Sequence, residues 1–136
     1  MLNKEIEQQL INTINEQLDT DFIILFGSFA KGLEREDSDI DIAYFSDKQL
    51  SSYERFTLAG ELASIVGREI DLVDIKQIDT VFTMQIFSEG EPIYIKDDNE
   101  FTRQIMRAYS MYATLSEQRA PIIDAIKERG SVFGDE

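Results

Sequence analysis

The chain has 136 residues, a length that favours one domain with a substantial core, and 43% of the residues are hydrophobic. It contains neither cysteine nor histidine, which excludes disulfides, thiolate metal sites, Ser-His-Asp triads and Cys-His dyads. The formal net charge of −14 disfavours tight nucleic-acid binding, which relies on lysine and arginine against phosphates. The acidity either favours a basic protein partner or only keeps the protein in solution. The amino-terminal segment lacks a signal-peptide pattern, and no apolar run reaches the roughly 20 residues of a membrane helix. We therefore expect a cytoplasmic protein without a membrane segment.

The first half of the chain predicts a helix, a strand, a short helix and a second strand. Apolar residues recur at every fourth position over residues 2–18, which is typical of an amphipathic helix. The apolar run 22–26 predicts a buried strand, and Gly27 permits a sharp turn into a short helix over 28–31. After a charged loop, residues 39–45 predict the second strand.

The second half predicts, in order, a helix over 51–66, a strand over 69–75, a short helix over 79–90, a strand over 92–96 and a long helix from residue 99. Ser51 and Glu54 have the spacing of a capping box. Pro92 favours an edge position for its strand. We expect Pro121 to end or kink the long helix, or to begin a final helix through Lys127. This alternation of helices and strands predicts a single α/β or α+β domain with two layers.

Two aspartates stand one residue apart in the second predicted strand. Side chains alternate along a strand, so Asp39 and Asp41 project from the same face. Two carboxylates about 4 Å apart repel by roughly 4 kcal/mol at an effective dielectric near 20, and a divalent cation removes this cost. Hard cations such as Mg²⁺ prefer oxygen ligands. The pattern favours a metal site, the alternative being one aspartate that caps the strand and one that faces water.

A possible phosphate site precedes this pair. Gly27 and Ser28 follow a strand and open a helix, where free backbone amides bind phosphate oxygens, and the Ser28 hydroxyl can donate another hydrogen bond. Lys31, one helical turn later, is within reach of a triphosphate or is an ordinary surface lysine. The Gly27-Ser28 turn, here called the phosphate cradle, would bind phosphate oxygens beside a metal ion held by Asp39 and Asp41. This combination favours nucleotidyl transfer.

The spacing of Gly27-Ser28, ten residues and Asp39-Ile40-Asp41 resembles the signature of the DNA polymerase beta-like nucleotidyltransferases. The segments IDLVDI and EGEPIYIKD and the C-terminal helix are similar to those of minimal nucleotidyltransferase antitoxins of the MntA type. Lys31 stands where this family often has arginine. The resemblance implies a nucleotidyltransferase fold: a small mixed β-sheet with helices mainly on one face and a long C-terminal helix. One domain would span 1–136, with a core over 8–98 and a helical segment over 99–129.

The resemblance also implies a function. Such proteins are Mg²⁺-dependent enzymes that use ATP to place AMP on a tyrosine of a HEPN-type ribonuclease toxin, with which they assemble. A third carboxylate normally completes the site as metal ligand and base. Asp71 matches the family position best, and Asp74, three residues later on the opposite face of a regular strand, is the alternative. The expected catalytic and metal-binding residues are therefore Asp39, Asp41 and Asp71.

Two other functions fit the same residues. The chain could neutralise a partner by binding alone, with transfer incidental. It could also modify a small hydroxylated acceptor, as aminoglycoside-modifying enzymes do, although those usually need a second domain to hold the acceptor. The sequence leaves open the acceptor, the number of metal ions and AMP units, and the oligomeric state.

Overall fold

The computed structural model describes residues 2–128, with side chains described through residue 118. Four strands form one sheet: β1 (Thr20–Phe26), β2 (Ile40–Ser46), β3 (Ile70–Asp74) and β4 (Glu91–Ile95). The α-helices are α1 (Lys4–Gln17), α2 (Ser28–Lys31), α3 (Ser52–Val66), α4 (Thr80–Glu89) and α5 (Asp98–Glu128). A 3₁₀ turn over Ile75–Gln77 follows β3.

The sheet is mixed, as expected. Its strand order is β3-β2-β1-β4; β1 is antiparallel to β2 and β4, whereas β2 and β3 are parallel. Strand β4 lies at an edge, as Pro92 predicted, because an edge strand can dispense with one donor. The parallel pair requires a crossover, which α3 provides.

Helices cover both faces of the sheet, so the expectation of two layers with helices mainly on one face is wrong. Helices α1 and α3 pack on the face that carries Ile23, Ile42 and Leu72. Helices α4 and α5 pack on the face that carries Phe22 and Phe45. Both faces of β1 and β2 are apolar, and a sheet with two apolar faces has to be covered on both.

Helix boundaries follow local capping signals at several points. The Ser51 hydroxyl accepts from the Glu54 amide and the Glu54 carboxylate accepts from the Ser51 amide, which completes the predicted capping box of α3. The prediction that Pro121 ends the last helix or begins a new one is wrong, since α5 runs through this residue; the alternative of a kink stays a prediction. Proline has a helical φ, but in a helix interior it removes one hydrogen bond and its ring clashes with the carbonyl four residues earlier. Within residues 2–128, no helix combines the length and apolar character that crossing a membrane requires.

Candidate active site

Three strand ends meet at one edge of the sheet. Strand β1 ends there and β2 and β3 begin there, because β1 runs antiparallel to the parallel pair. In the register across this edge, Phe26 lies opposite Asp41 and Asp41 lies opposite Asp71. Because Gly27 directly follows Phe26, the glycine-serine turn at the end of β1 lies beside Asp41 and Asp71.

The register separates the two candidates for the third carboxylate. Asp71 is the ladder partner of Asp41, so the two side chains project from the same face. Asp74 pairs with Tyr44 instead, on the face that packs against α1 and α3. Its side chain is buried and accepts a hydrogen bond from the Lys76 amide, which caps the 3₁₀ turn. The structure thus brings Asp71 beside Asp41 and gives Asp74 a structural contact.

Burial and like charges act together on Asp41. Burial, and after it the neighbouring charges of Asp71 and Asp39, together raise the pKa of this carboxyl from 3.8 to about 6. Asp39 itself lies one residue before β2 and is exposed. The neighbouring carboxylates thus add to the effect of burial in disfavouring the charged form of Asp41.

The donor chemistry of these acids fits a divalent cation. Three carboxylates offer hard oxygen ligands, and a cation would relieve their mutual repulsion. Among the side chains described, those of residues 2–118, however, no three acidic groups are already arranged around a common point as a metal site requires. Strand pairing places Asp71 beside Asp41, and Asp39 lies one residue before the start of β2.

Gly27 allows the Asp41 carboxylate to lie directly against the backbone at the end of β1. Its φ of +73° and ψ of −153° fall in a region that is essentially restricted to glycine. A Cβ atom at this position would lie 2.1 Å from Asp41 Oδ2 and 3.0 Å from Cγ. The start of α2, where Ser28 stands, is therefore adjacent to the acid. Phosphate oxygens bound at this turn would be held next to a cation on Asp41.

Lys31, the last residue of α2, forms an ion pair that the sequence did not predict. Its Nζ lies 2.5 Å from Oε1 of Glu89, the last residue of α4. Both side chains are partly exposed, so the pair contributes little to stability. A triphosphate that contacts Lys31 would have to compete with Glu89.

Sequence reasoning also missed Arg68, which lies between α3 and β3. Its guanidinium donates hydrogen bonds to backbone carbonyls in the turn that precedes Asp39. No sequence signal points to this contact, because every residue type supplies a backbone carbonyl.

Comparisons with known proteins agree with this geometry. The family model described as polymerase beta nucleotidyltransferase matches residues 8–99. Protein adenylyltransferase MntA of Shewanella oneidensis is 32% identical over 123 residues, covering 88% of this chain and 86% of that protein. A chain in the crystal structure of a toxin-antitoxin with AMP-PNP is 30% identical with a TM-score of 0.81, covering 89% of this chain and 98% of its own.

A second structural relative comes from the Shewanella oneidensis complex of an MNT antitoxin with a tri-AMPylated HEPN toxin. Its matching chain is 28% identical with a TM-score of 0.77, and the match covers 93% of this chain and 99% of that one. The shared fold therefore extends over nearly the whole length of both chains. The family match includes β1, β2 and β3, the strands whose ends carry the glycine-serine turn and the aspartates. This protein therefore belongs to the polymerase beta family of nucleotidyltransferases.

Proposed function

We propose that this protein is the antitoxin of a toxin–antitoxin pair and transfers AMP from ATP to a tyrosine of a HEPN-type ribonuclease toxin. One observation carries the proposal: where β1 ends and β2 and β3 begin, the Gly27 turn, Asp41 and Asp71 lie side by side on neighbouring strands. The name of the Shewanella oneidensis adenylyltransferase and the AMP-modified toxin in the related complex support the acceptor class.

The proposed reaction is an in-line displacement at the α-phosphorus of ATP. The tyrosine oxygen forms a bond to phosphorus, the bond to the β-phosphate oxygen breaks, and pyrophosphate leaves with the electron pair. Asp71 Oδ accepts the proton of the tyrosine hydroxyl. The amides at the start of α2 and the Ser28 hydroxyl hold phosphate oxygens in place.

Enzymes of this family use a divalent metal ion with ATP, and we propose Mg²⁺ for this protein. Asp39, Asp41 and Asp71 would hold it, since they supply oxygen ligands at one edge of the sheet. When bound, the ion neutralises charge on the triphosphate and on the leaving pyrophosphate. Lys31 would contact the triphosphate after exchanging Glu89 for a phosphate oxygen.

The direct test is transfer of label from [α-³²P]ATP to a HEPN-domain protein encoded beside this gene and purified with it. We expect label on the partner with wild type and none with Asp39→Ala/Asp41→Ala or with Asp71→Ala. Asp47→Ala is the matched control, because Asp47 is an exposed aspartate whose ion pair is with Lys76, away from the site. Wild-type turnover by Asp71→Ala would remove Asp71 from the site.

The same samples separate the competing functions. If Asp39→Ala/Asp41→Ala still neutralises the ribonuclease fully at equal stoichiometry, the antitoxin acts by binding alone. Label on a small hydroxylated acceptor, without any protein acceptor, would instead identify a small-molecule transferase.

A further inference from the structure

Arg68 holds the turn that leads into Asp39. Its Nη1 donates to the carbonyl oxygen of Arg35 at 2.7 Å and to that of Ser38 at 3.1 Å. The Ser38 carbonyl belongs to the peptide bond that joins Ser38 to Asp39. One guanidinium nitrogen therefore fixes the peptide unit immediately before the first aspartate.

The turn that Arg68 holds is itself closed by two hydrogen bonds. The Ser38 amide donates to the Arg35 carbonyl at 3.1 Å, and the Arg35 amide donates to Ser38 Oγ at 2.7 Å. On the other side of Asp39, the Ile40 amide donates to the Glu69 carbonyl at 3.0 Å. Asp39 is thus flanked by two contacts from the short segment that contains Arg68 and leads into β3.

Arg68 also contacts the helix that begins the phosphate cradle. Its guanidinium carbon lies 5.0 Å from the centroid of the Phe29 ring, a cation–π distance. Phe29 is buried in α2, one residue after Ser28. Arginine suits this position because its planar group can stack on a ring while it donates hydrogen bonds, which lysine cannot do.

We propose that Arg68 is a positioning residue that fixes Asp39 relative to the Ser28 phosphate cradle, so that cation and triphosphate bind in one geometry. This inference rests on the proposed nucleotidyl transfer but assigns a role to a residue outside the signature. In the absence of these contacts, the turn before Asp39 would be free to move against α2, and Asp39 would contribute less to cation binding.

The test is the Mg²⁺ dependence of nucleotide binding by the full chain, measured with α,β-methylene-ATP, which cannot undergo transfer. We expect the half-saturating Mg²⁺ concentration to rise about tenfold in Arg68→Met, near the lower end of effects seen for groups that orient metal ligands. Arg68→Lys keeps the positive charge but loses the planar guanidinium. Its half-saturating Mg²⁺ concentration should rise about threefold. If Arg68→Met fails to fold, the measurement on Arg68→Lys tests the inference by itself.

The matched control is Arg55→Met. Arg55 is a half-buried arginine whose guanidinium donates to the Gln77 side chain at 3.3 Å, beyond the opposite end of β3. We expect its half-saturating Mg²⁺ concentration to stay within about twofold of wild type, whatever its melting temperature. Amide exchange in the metal-free protein should accelerate over residues 36–40 in Arg68→Met and remain unchanged there in Arg55→Met.

Two results would overturn the inference while wild type binds the analogue normally. An unchanged half-saturating Mg²⁺ concentration in both Arg68 variants would mean that the residue only stabilises the fold. A lower concentration in Arg68→Met would mean that Arg68 acts as a nearby positive charge that opposes the cation. Failure of wild type to bind the analogue with Mg²⁺ would instead overturn the proposed function, and this inference with it.

Discussion

Replacing Gly27 with alanine would test whether the close approach of Asp41 to the end of β1 matters for function. The added methyl group has no room, since its carbon would lie 2.1 Å from Asp41 Oδ2. The backbone is also unsuitable, because φ is +73° and ψ is −153°. The substitution therefore has two effects: it strains the backbone of the turn, and it pushes the Asp41 carboxylate away from the phosphate cradle.

The size of both effects follows from this geometry. An L-residue in a glycine-only backbone region costs on the order of 1–3 kcal/mol. At about 4 °C per kcal/mol for a chain of this size, a loss of about 2 kcal/mol lowers the melting temperature by about 8 °C. Displacing a reacting or metal-binding group by about 1 Å reduces turnover by roughly 100-fold. We expect AMP transfer per folded molecule to fall by at least this factor.

Gly32→Ala is the matched control in the same assays. Gly32 also has a positive φ, +70°, but a Cβ atom there would meet nothing within 4 Å. The control should lose about 1–2 kcal/mol of stability, seen as a lower melting temperature, while transfer measured with labelled ATP stays within about threefold of wild type. If Gly27→Ala transfers AMP as fast as Gly32→Ala does, the contact between the Asp41 carboxylate and this turn has no catalytic importance.

Three further substitutions and one pH series test other parts of the site. Asp71→Asn should reduce transfer by at least about 100-fold without lowering the melting temperature. Asp74→Asn should lower the melting temperature and leave transfer per folded molecule nearly intact; the reverse pattern would exchange the two roles. Glu89→Gln should free Lys31 and lower the half-saturating ATP concentration about two- to fivefold, and an unchanged value would show that this lysine does not contact ATP. Burial and neighbouring carboxylates raise the pKa of Asp41 to about 6 from 3.8, so between these values the folded metal-free protein binds more protons than the unfolded chain does, and its stability should fall as pH rises. Melting temperatures should therefore favour Asp41→Asn over wild type above pH 6 and converge near pH 4; a constant difference would contradict the assignment.

The parts of the site that sequence could predict are those encoded locally. The spacing of the glycine-serine turn and the two aspartates is a short-range pattern, and the alternation of strand side chains places Asp39 and Asp41 on one face. The same alternation placed Asp71 and Asp74 on opposite faces. Only the register of β3 against β2 shows which of them is beside Asp41, because a shift by one residue would exchange the faces.

The contacts made by Glu89 and Arg68 could not be predicted for a different reason. Glu89 meets Lys31 because the end of α4 lies near α2 in the folded chain, and no local pattern links two surface charges so far apart in sequence. Arg68 binds backbone carbonyls, which carry no information about residue type. Both contacts are consequences of tertiary structure.

Chain connectivity explains why the expected arrangement of helices was wrong. Strands β3 and β4 lie at opposite edges of the sheet, so the segment between them has to cross the sheet. Helices α1 and α3 already occupy one face, and α4 therefore crosses the other, where α5 joins it. Periodicity shows that a helix has an apolar side, but the strand order decides which face of the sheet that side covers.

The charges around the site give the proposed cation a role in binding as well as in chemistry. The chain carries a net charge of −14, the site gathers Asp41 and Asp71 on neighbouring strands, and Lys31 is already paired with Glu89. A triphosphate that approaches this edge alone meets the carboxylates of Asp41 and Asp71 and a Lys31 that is paired with Glu89. A cation reverses the sign of these interactions, since it attracts the acids and the phosphates together. In the proposed function, cation and ATP therefore bind as a unit, and the geometry that Arg68 gives to Asp39 affects the affinity for both.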